Sequence, residues 1–364
     1  MNIAFLLGGF SNYGGIGRVS AVVASRLSEE KDTAVTAVCL YRDENDIGYA
    51  VSDKIHREYL FDGFLTVKKA LLKGAVGRLK KILVQNKIDV VVACGTIYYP
   101  LALFAARRAK IKCVMWEHIH PNSGEDHFLQ DEIRSYAARR SDANVLIADR
   151  ALAIYNDRFP HANNTLIYNP LDPAAFRRRE PYGKEHRRIL SVGRLSPQKN
   201  YLSLLRVAKR VLPQNEGWQW DIYGEGECRA ELESAICEMG LVGRVNLMGQ
   251  HHAMYDLYQN YDFQVMTSRF EGFPMVLLEG IANALPLISY DIETGPNEIV
   301  FSDKNGFLIP SGDEDAMAQA VQKMICDPAM RLRFSKESAA LTDRFSLDAV
   351  AREWMTLFGH LKGE

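Results

Sequence analysis

Short apolar runs without polar alternation recur along the whole chain, and longer segments of helical periodicity separate them. "IAFLL", "AVTAVCLY", "IDVVVACG", "IKCVMW", "ANVLIA" and "TLIYN" fill the first half in this way. Such runs suit strands covered on both faces, and the helical segments between them are the crossovers that parallel strands require. After residues 169 to 187, a stretch rich in proline and charge, the pattern restarts with "ILSVG", "WQWDIYG", "RVNLMG", "DFQVMTS" and "PLISY". A chain of 364 residues also exceeds the usual extent of one hydrophobic core. The expectation is an α/β protein of two Rossmann-like, doubly wound domains, residues 1–169 and 170–345. A C-terminal helix, 346–364, then packs Trp354 and Phe358 back toward the first domain. Ligands of open parallel sheets bind beyond the carboxyl ends of the strands, so two such domains facing each other are expected to enclose a cleft.

The charge distribution narrows the partners. Residues 1 to 170 carry 22 Lys+Arg against 18 Asp+Glu, and residues 171 to 364 carry 22 against 27. That is not the strongly basic profile of a nucleic-acid binder. The six cysteines form no Cys-x-x-Cys pair, and Cys39, Cys94 and Cys113 fall in or beside strand-like runs. Buried thiols in a reducing cytosol are expected, rather than disulfides or zinc. "MNIAFLLGGF" lacks the basic start of a signal peptide and reads as a first strand entering a glycine turn. No apolar run approaches the roughly 18 residues that span a bilayer, so a cytoplasmic protein is expected, at most peripheral on the inner face of the cell membrane.

Chemistry gathers at the strand ends. In "LGGFSNYGGIGRVSAVVASRL" the glycines 14, 15 and 17 precede an amphipathic helix. Either its amides and dipole meet an anion, or a tight strand-to-helix turn needs small residues. A dinucleotide fingerprint is not met, because the third glycine is missing and no acid ends the second strand. "ILSVGRLSPQKNYLSLLRVAKRV" sets Arg194 and Lys199 about a proline turn. A guanidinium fork and an ammonium converging there suit a diphosphate; the other reading is two solvated cations. Gly224, in "IYGEGE", lies in a turn that lets a flat ring approach the backbone.

The stretch "SRFEGFPMVLLEGIANALP" completes the set. A strand ends at Ser268, the loop Arg269 to Phe273 follows, and Pro274 suits the first position of a helix running to about Asn283. The loop amides and helix start then face Arg194 and Lys199. Glu279 falls in the second turn of that helix among apolar neighbours. A buried carboxylate needs a partner, and two readings stand: an internal base, or two hydrogen bonds from a vicinal diol such as a ribose.

"VGRLSPQKN", "YGEGE", "SRFEGFPMVLLEG", "ETGPNEIV" and "NGFLIP", in that order, resemble the retaining glycosyltransferases of family four, which have the GT-B fold. In the first half the resemblance rests on the Gly14-Gly15 turn and the strand end "WEHIH". It implies that Arg194 and Lys199 hold the donor diphosphate and Glu279 the ribose hydroxyls. Glu271, Gly272 and Phe273 would contact the donor sugar and phosphate, with Gly224 and Pro274 also on the donor side. Gly15 would approach the diphosphate from the other domain, and His118, with His120 as a neighbouring competitor, would touch the donor sugar near the reacting carbon.

The activity so implied moves a hexose or N-acetylhexosamine, with retention, from a nucleotide diphosphate sugar to a glycan or lipid-linked acceptor. The donor is expected to be UDP-linked. "GPNEI" resembles the variant in enzymes that build bacterial lipopolysaccharide, capsule or exopolysaccharide. Similar enzymes react at the front face, where the leaving phosphate takes the acceptor's proton and Glu271 positions rather than attacks. No cofactor is expected, and no metal, since the acids at Asp43 and Asp313 fall in polar loop or helix-start segments. Rival readings are a nucleotide-sugar epimerase or sugar phosphorylase of the same fold, a bilobed sugar-binding protein without catalysis, and a nicotinamide oxidoreductase.

One segment lies outside this scheme. "GFLTVKKALLKGAVGRLKKIL", Gly63 to Leu83, contains Lys68, Lys69, Lys73, Arg78, Lys80 and Lys81 and no acid. It reads as a single amphipathic helix, either on an anionic membrane surface near a lipid-linked acceptor or as an ordinary solvated face.

Overall fold

The computed structural model describes residues 1–9, 15–42, 51–119, 128–176, 185–251 and 253–363, with backbone alone at 128–130. The chain divides into two compact units: residues 1–170 with 345–364, and residues 171–344.

The first unit holds seven strands: β1 (Asn2–Leu7), β2 (Ala34–Arg42), β3 (His56–Asp62), β4 (Val90–Cys94), β5 (Lys112–Glu117), β6 (Ala143–Leu146) and β7 (Asn164–Leu166). They pair in parallel in the order β3-β2-β1-β4-β5-β6-β7. The second unit holds β8 (Arg188–Val192), β9 (Gln219–Tyr223), β10 (Val245–Gly249), β11 (Phe263–Met266), β12 (Leu287–Asp291) and β13 (Gly306–Pro310), all parallel, in the order β10-β9-β8-β11-β12-β13. Both sheets start in the middle, wind to one edge and return across the start, so each is doubly wound. The two strands around which the winding reverses are β1 and β4 in one sheet and β8 and β11 in the other, the places where such sheets open to ligands.

Central strands are wholly buried, as their apolar runs require: every residue of β4 and of β11 is buried. β3 had no apolar run to announce it: it is an edge strand that buries only Leu60 and leaves its ends exposed.

In the first unit, helix Leu347–Lys362 begins at Ser346, whose side chain caps the Ala349 amide. It buries Trp354 completely among Phe5, Trp116 and Phe358, with ring centroids 6.3, 4.9 and 5.4 Å away. In the second unit, Trp220, Phe263 and Ile288 of the sheet pack with Leu204, Val321 and Phe334 of the covering helices. Arg331, also fully buried, donates to the carbonyls of Met324 and Ile325 and to Glu185, which keeps its charge paired.

The basic segment after β3 is two helices and not one: Val67–Leu72 and Ala75–Gln85. Gly74 stands between them at φ 79°, a left-handed conformation that ends helices and that glycine adopts without strain. Cys94 and Cys113 are buried thiols, each pushed up to about 12 by desolvation. Among the described residues, no helix is long and apolar enough to cross a membrane.

Candidate functional site

The reversal point of the second sheet is built by lacing. The turn after β8 and the loop after β11 are joined by several hydrogen bonds. Arg269 donates its amide to the Gln198 carbonyl at 2.8 Å, and Gln198 Nε2 donates to the Phe270 carbonyl at 2.9 Å. Thr267 Oγ1 donates to the carbonyls of Lys199 and Asn200 at 3.0 and 3.3 Å. Held this way, Lys199 Nζ lies 2.5 Å from Glu271 Oε1, and both side chains are largely buried. A third loop joins them: Thr294, after β12, donates its hydroxyl to the Glu271 carbonyl. Gly295 beside it sits at φ 95°, where a Cβ would fall 2.5 Å from the Pro274 ring.

Helix Met275–Ala282 starts from this loop. Pro274 is its N-cap and not its first helical residue, and Asn283 is its C-cap. Among the described residues no side chain caps the N-terminus; the Leu277 and Leu278 amides donate to the Pro274 carbonyl at 2.9 and 3.4 Å, and a helix start of this kind favours an anionic acceptor at its remaining amides. Phe273 is buried and Gly272 half-buried in the approach to the helix. Glu279 is 4% exposed, and the Tyr258 hydroxyl donates to its Oε2 at 2.5 Å. That phenol is one internal partner of the carboxylate, and the sequence reading did not name it. A hydrogen bond to a charged acceptor contributes about 1.5–3 kcal/mol toward holding the acid in its apolar helix. Nearby, Ser268 Oγ and Asn297 Oδ1, on the loops after β11 and β12, are buried without a hydrogen-bond partner among the described residues.

The Arg194 side chain is 72% exposed and pairs with Glu227 at 3.1 Å, while Lys199 pairs with Glu271, so the two cations that follow β8 each engage a different carboxylate. Gly224 is required to be glycine by its own chain. It stands at φ 143°, and a Cβ there would meet the Gly193 carbonyl oxygen at 1.9 Å, so its own chain approaches it.

The first unit holds the remaining residues. Gly15 is the exposed first residue of helix Gly15–Leu27, with nothing among the described residues within 4 Å of where a Cβ would stand. Gly14 and His120 lie outside the described residues, as does Asp43, whereas Asp313 caps helix Glu314–Cys326 through the Ala316 amide. His118 follows β5, buried, with its ring 4.4 Å from that of Trp116 and its Nε2 without a partner among the described residues. The residue before it, Glu117, was not anticipated. Its carboxylate is 2% exposed and accepts from Thr96 Oγ1 (2.9 Å), Arg134 Nε (2.9 Å), Tyr155 OH (3.0 Å) and the Ile119 amide (3.2 Å), which clamps the strand end on either side of His118.

Desolvation pushes the His118 pKa down to about 3, so the ring is neutral at physiological pH. The unfolded chain, with an ordinary value of about 6.5, takes up a proton that the folded one refuses. Stability from this group is full above about pH 6.5 and falls as pH drops toward 3. Denaturant melts at stepped pH are expected to show that slope and to lose part of it in His118→Gln; an unaltered slope would mean the imidazole is not held neutral.

Residues 13–175 match the family model described as Glycosyltransferase Family 4, and residues 174–340 the model described as Glycosyl transferases group 1. An exopolysaccharide phosphotransferase of Streptomyces coelicolor is 30% identical over 60% of this chain; the match spans 23% of that relative's length. An uncharacterized glycosyltransferase of Haemophilus influenzae is 22% identical over 97% of this chain and 98% of its own. Among solved structures, that of Anabaena HepE in complex with UDP superposes with a TM-score of 0.82 at 17% identity, covering 99% of this chain and 100% of the other.

Proposed function

Because the chain belongs to glycosyltransferase family four and has the GT-B fold, we propose that it moves a hexose or N-acetylhexosamine from a UDP-sugar to a glycan or lipid-linked acceptor of bacterial polysaccharide biosynthesis. The transfer retains anomeric configuration and uses no metal. The observation that carries this reading is the Lys199–Glu271 pair at the reversal point of the second sheet, beside an uncapped helix start.

Breaking a glycosidic bond to a nucleotide loads negative charge onto the departing diphosphate. Lys199 offers that charge an ammonium of which Glu271 engages one proton, and the first amides of helix Met275–Ala282 add fixed dipoles. Glu271, kept in place by Lys199 and Thr294, orients the sugar. Glu279, steadied by Tyr258, accepts from the ribose hydroxyls. Arg194, on an exposed loop, reaches the diphosphate by exchanging Glu227 for it. The leaving phosphate takes the acceptor's proton. HepE, solved with UDP, supports the choice of nucleotide, and the Streptomyces relative's name supports the polysaccharide setting. An epimerase, a phosphorylase or a binding protein is not favoured.

A thermal-shift panel of nucleoside diphosphates and their sugars tests the proposal. A ligand at 100 times its Kd stabilises by about 2.7 kcal/mol. UDP and one UDP-sugar are expected to raise the melting temperature, with or without a chelator. No response to any nucleotide would end this reading, and a response to guanosine nucleotides alone would replace the donor.

A further inference from the structure

We propose that the first unit docks on an anionic lipid bilayer through the corner formed by helices Val67–Leu72 and Ala75–Gln85. Two large apolar side chains stand in water there: Phe64 is 75% and Leu72 83% exposed, with Leu71 beside them at 37%. In the same segment Lys68, Lys69, Lys73, Lys80 and Lys81 are exposed, and no carboxylate occurs in the sequence from Gly63 to Ile88. The break at Gly74 produces this surface. The first helix buries only Ala70, and the next buries Ala75, Leu79, Ile82 and Leu83. A single continuous helix is therefore not what presents the cations.

The geometry also separates the six basic residues. Arg78 stacks 4.5 Å over the Phe61 ring and donates to the Leu60 carbonyl at 3.0 Å, so it secures the helix to β3. The five lysines make the charged rim. Phe64 is held in its exposed posture by an edge-on contact with the Tyr41 ring at 5.1 Å. Apolar tips beside flexible ammoniums match the boundary of a bilayer, where the tips enter the acyl region and the lysine stems snorkel to phosphate. A protein partner fits less well, because interface cores are depleted in lysine and enriched in arginine and aromatics. A soluble polyanion would leave Phe64 and Leu72 in water.

Flotation of the full chain with vesicles tests this without any nucleotide, so its outcome is separate from that of the donor panel. Binding is expected to vesicles of phosphatidylglycerol in phosphatidylcholine, to be absent from pure phosphatidylcholine, and to fall as salt rises. Lys80→Gln with Lys81→Gln is expected to weaken binding about fivefold per charge. Phe64→Ser with Leu72→Ser, at unchanged charge and unchanged melting temperature, is expected to weaken it about tenfold or more. Equal flotation on neutral vesicles, none on anionic ones, or a Phe64/Leu72 double variant that binds like the parent would overturn the proposal. So would heparin displacing the parent and that variant equally well, since charge alone would then explain the surface.

Discussion

Replacing Lys199 with alanine is expected to slow sugar transfer about 10²–10³-fold, the usual cost of deleting one preorganised donor to charge that develops in a transition state. The effect is expected mostly in kcat, because the ammonium meets its greatest charge as the diphosphate leaves. Glu271→Gln is the informative companion. It keeps the shape of the side chain and an oxygen for Lys199 while removing the charge. Turnover is expected to fall in this variant too, with melting temperature close to the parent's. Rates must be read per folded molecule, since Lys199→Ala also leaves a largely buried carboxylate without its cation. If both variants turn over normally once folded, the pair is an internal ion pair and the catalytic reading fails.

The largest effect on stability is expected at Gly224. The loop backbones beyond β8, β9 and β10 continue to pair after the strands stop: Gly193 donates to the Tyr223 carbonyl, Leu195 to that of Glu225 and Gly224 to that of Gly249, each at 2.9 Å. A methyl group at Gly224 would fall 1.9 Å from the Gly193 oxygen and 2.8 Å from its carbon, and no flexible side chain is there to yield. Gly224→Ala is expected to cost about 3 kcal/mol or more, through overpacking combined with a backbone angle alanine resists. For a unit of this size that is a fall of roughly 6–12 °C in melting temperature. Gly240→Ala is the control, at φ 70° with nothing within 4 Å, and is expected to cost only about 1 kcal/mol. Equal melting of the two variants would show that the strand ends can spread.

The central strands were legible because burial on both faces favours an unbroken apolar run, as in "VVVAC" of β4. β3 was not, because this edge strand keeps solvated residues and so loses the apolar run that betrays its neighbours. Lys199 and Glu271 were both legible as strand-end residues, since their flanking patterns are local. Their contact depends on β8 and β11 being neighbours across the reversal of the sheet, which local pattern does not encode. Tyr258 stayed hidden for the same reason: of the tyrosines at 255, 258 and 261, only the fold selects which one reaches Glu279. The pairing of Arg194 with Glu227 was not legible either, because spacing shows where a cation starts and not which carboxylate reaches it first.

The second unit is one uninterrupted segment, 171–344, whereas the first is assembled from two pieces of chain. On the ribosome, the second unit therefore has all its residues before the first does. Until helix Leu347–Lys362 emerges, Phe5 and Trp116 lack the indole that covers them. A nascent chain halted ahead of that helix would carry one finished lobe and one with its greasy centre open, a species for chaperones to guard. A fragment meant for separate production should accordingly be cut from 171–344, and the other lobe rejoined to its distant last helix by a circular permutation.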